Sequence, residues 1–258
     1  MKRTESARVI ESNVMIVERI RELKAEHPFW GYRRIWANLK YVDGLEINKK
    51  RVLRLMQKHE LIVKPQSNLK ATRVPQRSKP KPDKPNQWWG IDMTKTMVQG
   101  FGWVYIVVGL DWYTKKVVGY YAGLQSKSVH WLEALDIAVN MQFPDGARDH
   151  GLSLMSDNGC QPTSISFMKV CSDLGIKQAL TSYNNPKGNA DTEGFFRTMK
   201  GELLWLRERV NPMGLMNEIG VWIPGYNGNY LHSSLGYRTP NYVETEYFNN
   251  QLLHNLKA

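Results

Sequence analysis

Three carboxylates stand where an acidic side chain is hard to keep without a task. Asp92 lies inside the apolar run Trp88-Trp89-Gly90-Ile91-Asp92-Met93. A carboxylate there loses hydration and is tolerable only if paired, hydrogen-bonded or bound to a metal. Asp157 follows the strand-like run 152–156 and precedes Asn158-Gly159. Strand ends and the turns after them are where sheet proteins carry reacting groups, although Asp-Asn-Gly is also a good turn in its own right. Glu193 opens an amphipathic helix. At about 100° per residue, Phe195, Phe196, Met199, Leu203 and Leu206 form its apolar stripe. Glu193, Arg197, Lys200 and Leu204 share a separate, narrow arc. An i,i+4 ion pair between Glu193 and Arg197 would account for two of these residues, at only ~0.3–0.5 kcal/mol. It would not account for an acid and two bases alongside two strand aspartates. Hard carboxylate oxygens suit Mg²⁺ or Mn²⁺, ions that bind phosphate oxygens as well.

The elements that must position these acids are legible as periodicities. Short apolar runs rich in β-branched and aromatic residues predict strands at 88–93, 103–110 and 116–121. A helix is predicted at 129–141, a fourth strand at 152–156, a helix at 165–174 and a fifth strand at 176–180. The loop Asn184-Asn185-Pro186-Lys187-Gly188 comes next, and then the helix 191–207 that carries Glu193. Three sequential strands followed by alternating helix and strand describe an α/β unit, a mixed five-stranded sheet with helices on its faces. Asp111, after the second strand, is the main rival acid and reads as a hairpin residue. Asp136, Asp145 and Asp191 read as solvent-facing or helix-capping.

Ahead of this unit the pattern is helical. Ile16, Val17, Ile20 and Leu23 recur at helical spacing, and Pro28 ends that helix. A second helix is predicted over Tyr32–Tyr41, with Ile35, Trp36 and Leu39 inward, followed by an Asp43-Gly44 turn. Asn48 is a good N-cap for a third, with Ile47 and Val52 at hydrophobic-staple positions. This third helix buries Val52, Leu53, Leu55 and Met56 and leaves Lys49, Lys50, Arg54 and Lys58 outward. Helix, short turn and basic helix read as a helix-turn-helix on DNA, against the alternative of a solvated basic face on a small bundle. Residues 64–86 hold five of the twelve prolines and seven Lys or Arg, an extended linker able to lie along phosphates. The expected domains are therefore 1–63, helix-turn-helix-like; 64–86, linker; 87–210, catalytic core; and 211–258, a C-terminal helical, DNA-contacting extension.

Charge is sorted the same way. Residues 1–85 carry 21 Lys and Arg against 9 Asp and Glu, so the whole excess of +11 sits in the first third of the 258 residues. That suits a polyanion-binding module joined to something with another job. No apolar run approaches the ~18 residues of a membrane span, and Met1-Lys2-Arg3-Thr4-Glu5 opens no secretory region, so a cytoplasmic protein is expected. Cys160 and Cys171 lack CxxC spacing and the six histidines are scattered, which argues against zinc.

The acids stand in the order Asp, Asp, 35 intervening residues, Glu, then Lys seven residues later. The segments Trp89-Gly90-Ile91-Asp92-Met93-Thr94, Ser156-Asp157-Asn158-Gly159 and Asn189-Ala190-Asp191-Thr192-Glu193-Gly194-Phe195-Phe196-Arg197-Thr198-Met199-Lys200 resemble the integrase core of DDE transposases. The later Tyr226-Asn227 and His232-Ser233-Ser234-Leu235-Gly236-Tyr237-Arg238-Thr239-Pro240 resemble the C-terminal signature of bacterial insertion-sequence transposases. The nearest resemblance is to OrfB, the second-frame product of the insertion-sequence-three family. His27-Pro28-Phe29-Trp30-Gly31-Tyr32-Arg33-Arg34-Ile35 is similar to its N-terminal region. Two positions depart from that pattern: Met155 where a histidine is frequent, and Tyr230 where a basic residue is frequent.

The resemblance implies an RNase H-like fold and a DNA transposase. Asp92, Asp157 and Glu193 would be its catalytic and metal-holding residues, with two Mg²⁺ or Mn²⁺ ions per site about 3.5–4 Å apart. Arg197, Lys200 and His232 would join Lys49, Lys50, Arg54 and Lys58 as DNA contacts. The implied partners are double-stranded DNA at element ends and target, further copies of the chain on that DNA, and an upstream-frame OrfA product or fusion. The implied location is the bacterial nucleoid. A DNA-binding regulator without catalysis, or an RNase H-like nuclease that does not join strands, is the alternative function.

Overall fold

The computed structural model describes residues 7–62, 80–181 and 189–256. The chain divides into two compact units, residues 1–72 and 73–258. The first holds helices α1 (Ala7–Glu26), α2 (Tyr32–Tyr41) and α3 (Lys49–Lys58). Ile16, Val17, Ile20 and Leu23 of α1 are buried, as are Ile35 and Leu39 of α2 and Val52, Leu55 and Met56 of α3. Leu53 is only half-buried. The Asn48 side chain caps α3 by accepting from the Lys50 N–H at 2.8 Å, and Trp36 Nε1 donates to the Ile47 carbonyl at 2.8 Å. Arg19 grips both oxygens of Asp43 at 2.9 and 3.1 Å, which ties α1 to the turn after α2. Arg51 donates to Asn13 at 2.8 Å and Ser12 at 3.1 Å, tying α3 to α1. Lys49, Lys50, Arg54 and Lys58 remain exposed, and Lys49 Nζ lies 4.0 Å above the Trp36 ring. Most of the linker expected at 64–86 lies outside the described residues.

The second unit is built on a five-stranded sheet: β1 (Trp88–Val98), β2 (Gly102–Asp111), β3 (Val117–Gly123), β4 (Ser153–Ser156) and β5 (Lys177–Leu180). The spatial order is β3-β2-β1-β4-β5. The first three strands pair antiparallel, and β1–β4 and β4–β5 are parallel, so β1 is central. One face is covered by α4 (Ser128–Gln142) and α5 (Ile165–Asp173) over Trp89, Ile91, Val107 and Leu154. The other is covered by α6 (Ala190–Met199) and α7 (Pro212–Asn229) over Val104, Ile106 and Val108. The last helix is α8 (Pro240–Asn255). Among the described residues no helix is long and apolar enough to cross a membrane. Cys160 is exposed and Cys171 buried, both as free thiols.

The structure corrects two expectations. The predicted helix 191–207 changes character after Met199. Lys200–Leu204 form a π-helical turn, which takes an extra residue per turn and rotates the residues beyond it. Leu204, expected on the polar arc, is therefore 4% exposed, and Leu206, expected in the apolar stripe, is 42% exposed. The core also does not stop at 210. Leu215, Ile219, Ile223 and Tyr226 of α7 are buried in the same cluster as Phe195, Phe196 and Met199 of α6. Asn227 accepts from the Val117 N–H and donates to the Val117 carbonyl, both at 2.9 Å. It thus satisfies the open edge of β3 as a neighbouring strand would.

Asp111 is a hairpin residue, and a buried one at 1% exposure. One carboxylate oxygen accepts from the N–H and the hydroxyl of Thr114, each at 2.7 Å, and the other accepts from the Asn86 N–H at 2.8 Å. Burial holds its pKa above the usual carboxylate value in spite of these donors. Its oxygens are committed to the β2–β3 corner. Asp111→Ala is expected to strand buried donors at a cost of about 1–3 kcal/mol each, read as a lower urea midpoint. Asp111→Asn, which can accept on one side only, should destabilise less.

Candidate active site

Strand register brings the two aspartates together. Gly90 of β1 is opposite Met155 of parallel β4. Continued two residues, the same register sets Asp92 beside Asp157, just past the end of β4. Alternate residues of a strand share a face, so Asp92 points to the side of the sheet that Gly90 faces. Gly90 shows what covers that side. A Cβ on it would lie 2.3 Å from Thr192 Oγ1 and 2.4 Å from Asn189 Oδ1. The first turn of α6 therefore rests on the bare backbone of Gly90, which brings Glu193 over the same corner.

Asp92 is half-buried. Burial lifts its carboxyl from 3.8 to about 6, and the negative charges of Asp157 and Glu193 add to the rise. The Met93 N–H, donating to Asp92 Oδ1 at 2.7 Å, and the Lys200 ammonium oppose it. Three of the predicted residues, Asp157, Glu193 and Lys200, thus each lie within electrostatic reach of Asp92. Asp157 is exposed, and its Oδ1 accepts from the Gly159 N–H at 3.0 Å. It is a turn residue as well as a neighbour of Asp92. Glu193 is exposed in the first turn of α6, where the helix dipole favours an anion. Among the described residues it forms no ion pair with Arg197, which is exposed one turn further on.

Among the described residues, no three His, Cys, Asp or Glu side chains converge into a ready metal cage. Asp92 and Asp157 each turn an oxygen onto a backbone N–H. The His232 ring packs edge-on to Tyr226 at 5.3 Å and to Tyr230 at 4.6 Å, so it leans toward the core, unlike the exposed lysines of α3. Tyr230, where a basic residue was frequent in the resemblance, is 7% exposed and belongs to the same core.

The sequence reading missed the residues that seat α6. Asn189 is buried; its Nδ2 donates to the Ile91 carbonyl at 3.4 Å, and its Oδ1 accepts from the Thr192 hydroxyl at 2.6 Å. Asp191, expected to face solvent or cap a helix, pairs with Lys115 at 2.9 Å and pins the same turn to the β2–β3 hairpin. Asp136 and Asp145 are exposed. A glycine inside a strand pattern is the one local signal of close approach that pointed here.

Comparison with known proteins fits this arrangement. Residues 82–186 match the integrase core domain, residues 174–240 match a second integrase core domain model, and residues 12–67 match an HTH-like domain. Two integrase core matches thus span the sheet and the helices that follow it, and an HTH-like match precedes them. The chain's sequence is similar to the transposase InsD for insertion element IS2A/D/F/H/I/K of Escherichia coli. The two are 23% identical over 232 residues, which covers 87% of this chain and 76% of InsD. In fold this chain is similar to a chain of the simian T-cell lymphotropic virus intasome in complex with PP2A regulatory subunit B56 gamma. There the TM-score is 0.50 and the identity 15%, over 79% of this chain and 72% of that one. The HTLV-2 integrase catalytic core, solved in complex with magnesium, scores 0.49 at 17% identity, over 64% of this chain and 99% of that one. The mixed sheet with flanking helices is the RNase H-like core expected from the motifs.

Proposed function

We propose that this chain cleaves and joins DNA strands at insertion-sequence ends by metal-assisted phosphoryl transfer, with Asp92, Asp157 and Glu193 as its acids. The observation that carries the reading is the corner of the sheet where register sets half-buried Asp92 beside Asp157 and where the start of α6, seated on Gly90, carries Glu193. The donor set fits Mg²⁺ or Mn²⁺. All three acids offer hard oxygens, and Asp92 is ionised against its surroundings, a strain that a bound cation relieves. Divalent ions held there would activate the attacking oxygen and stabilise the leaving one.

In the first step water attacks the phosphorus at the element boundary. The bond to the 3′ oxygen of the element breaks, that oxygen takes up a proton, and the phosphate stays with the flanking strand. In the second step the freed 3′-hydroxyl attacks a phosphodiester of the target. A new phosphorus–oxygen bond forms, a target 3′-hydroxyl leaves, and no covalent enzyme intermediate is needed. Asp157 and Glu193 stand at the exposed rim, where a DNA strand can reach them, and Asp92 closes the drier inner side. Lys200, with its charge already directed at this corner, and exposed Arg197 would hold adjacent phosphates as electrostatic contacts.

Lys49, Lys50, Arg54 and Lys58 would supply sequence-independent affinity through the phosphates. Replacing Lys50 and Arg54 by alanine should flatten the slope of log affinity against log salt by about 0.9 for each phosphate that is no longer neutralised. The melting temperature should stay near the parent value. An unchanged slope would make that helix face a solvated one. Further copies of the chain on DNA and an OrfA partner belong to the same proposal. The reading as a whole is tested by incubating the protein with pre-cut duplexes carrying the ends that flank its own reading frame, with Mg²⁺ or with EDTA. Joined products only with Mg²⁺ support it. Cleavage without joining would leave a nuclease, and binding without either would leave a regulator.

A further inference from the structure

The third acid is not placed by its own contacts. Glu193 is exposed, and its backbone N–H donates to the Asn189 carbonyl at 3.0 Å. Its position over the sheet is therefore the position of the first turn of α6. Asn189 holds that turn from both ends of one amide. Its Nδ2 donates to the carbonyl of Ile91, the peptide that leads directly into Asp92. Its Oδ1 receives the Thr192 hydroxyl at 2.6 Å. An asparagine at a helix start ordinarily caps the helix with its side chain, but this one makes no such cap. Both ends of its amide are instead spent on Ile91 and Thr192. Asn189 is 5% exposed and Thr192 0% exposed, so neither exchanges these partners for water. Gly90 completes the seat, since a side chain there would occupy the space of Thr192 Oγ1, Asn189 Oδ1 and, at 2.5 Å, Trp112 Nε1.

We propose that Asn189 is a positioning residue that sets the separation of Glu193 from Asp92, by clasping the start of α6 to the Ile91 carbonyl with Thr192 as its partner. The proposal rests on the reading of Asp92 and Glu193 as a metal-dependent pair. Outer partners of metal ligands are worth about 10–100-fold in metal affinity or activity, and the clasp should show an effect of that size.

The test uses the full chain with Mn²⁺ as probe, binding read by calorimetry and cleavage read at saturating Mn²⁺. Thr192→Val keeps the shape and removes the hydroxyl, Thr192→Ser keeps the hydroxyl, and Asn189→Ala removes the amide. Asn189→Ala and Thr192→Val should weaken Mn²⁺ binding by about tenfold or more and slow cleavage at saturating metal, while duplex binding stays at the parent level. Thr192→Ser should stay within about threefold of the parent on both readouts, by the same measure. If Asn189→Ala does not fold, the Val and Ser pair decides. Parent-like Mn²⁺ affinity and cleavage in Thr192→Val overturns the proposal, as does equal loss in Val and Ser. Glu193→Gln serves as the control. If it too binds Mn²⁺ like the parent, the reading of the site has failed; if it loses binding while Thr192→Val does not, only the clasp has failed.

Discussion

Asp92→Asn should abolish metal-dependent strand cleavage, leave duplex binding intact and raise the melting temperature of the metal-free protein. The first effect comes from removing a ligand oxygen from the centre of the acid cluster. Metal assistance supplies several kcal/mol of transition-state stabilisation, and about 4 kcal/mol is about a thousandfold in rate. The stability effect has the opposite sign and the same cause. With its pKa lifted from 3.8 to about 6, the folded Asp92 is ionised at neutral pH against its surroundings. That penalty is fully present above about pH 6, shrinks as pH falls toward 3.8, and is absent below it. By that shift it amounts to roughly 3 kcal/mol. In EDTA at pH 7 the variant should therefore melt above the parent, and near pH 4 the two should converge. Mg²⁺ should raise the melting temperature of the parent and leave that of the variant unchanged. A variant that melts below the parent at pH 7, or one that still cleaves, would remove Asp92 from the role given to it.

Gly90→Ala is expected to damage both stability and cleavage, because the added methyl has nowhere to go. Its Cβ would sit 2.3 Å from Thr192 Oγ1 and 2.5 Å from Trp112 Nε1, and overpacking of this kind costs about 1–3 kcal/mol. The Thr192 hydroxyl and the Asn189 amide must give way, and because they seat the start of α6 their displacement is expected to move Glu193 relative to Asp92. A displacement of about 1 Å at a reacting centre can cost about a hundredfold in rate. Gly119→Ala is the matched control. Its Cβ would meet the Ala134 carbonyl at 2.3 Å, on the opposite face of the sheet under α4. It should lose similar stability and keep the parent cleavage rate per folded molecule. Equal rate losses in the two variants would show that general destabilisation, and not the seat of α6, is what cleavage senses.

The contrast between these glycines marks where the sequence could be read and where it could not. Local patterns carried α2 over Tyr32–Tyr41 and the Asn48 cap of α3, because spacing and capping are written within a few residues of one another. The acid triplet is a reading of motif spacing, and in the folded chain Asp157 and Glu193 each lie within electrostatic reach of Asp92. What stayed hidden depends on partners far along the chain. Gly90 acquires its meaning only when residues 189–192 fold over it. Asp111 shows its burial only once Asn86 and Thr114 close on it. The residues of α7 read weakly as a core helix because Gly214, Gly220, Pro224, Gly225 and Gly228 interrupt the apolar pattern, yet it covers one face of the sheet. The π-turn after Met199 exchanged the places of Leu204 and Leu206.

The central claim, that acids on β1, just past β4 and on α6 act as one centre on DNA, is tested most directly by strand joining at matched DNA occupancy. Parent, Asp157→Asn and Glu193→Gln are each saturated with a pre-cut, end-labelled duplex, and Mg²⁺ is then added with plasmid target. The parent should transfer the label to the plasmid, and each single variant should bind the duplex equally and transfer none. Label transfer by either variant at the parent rate would contradict the account, because the remaining two acids would then suffice without the third.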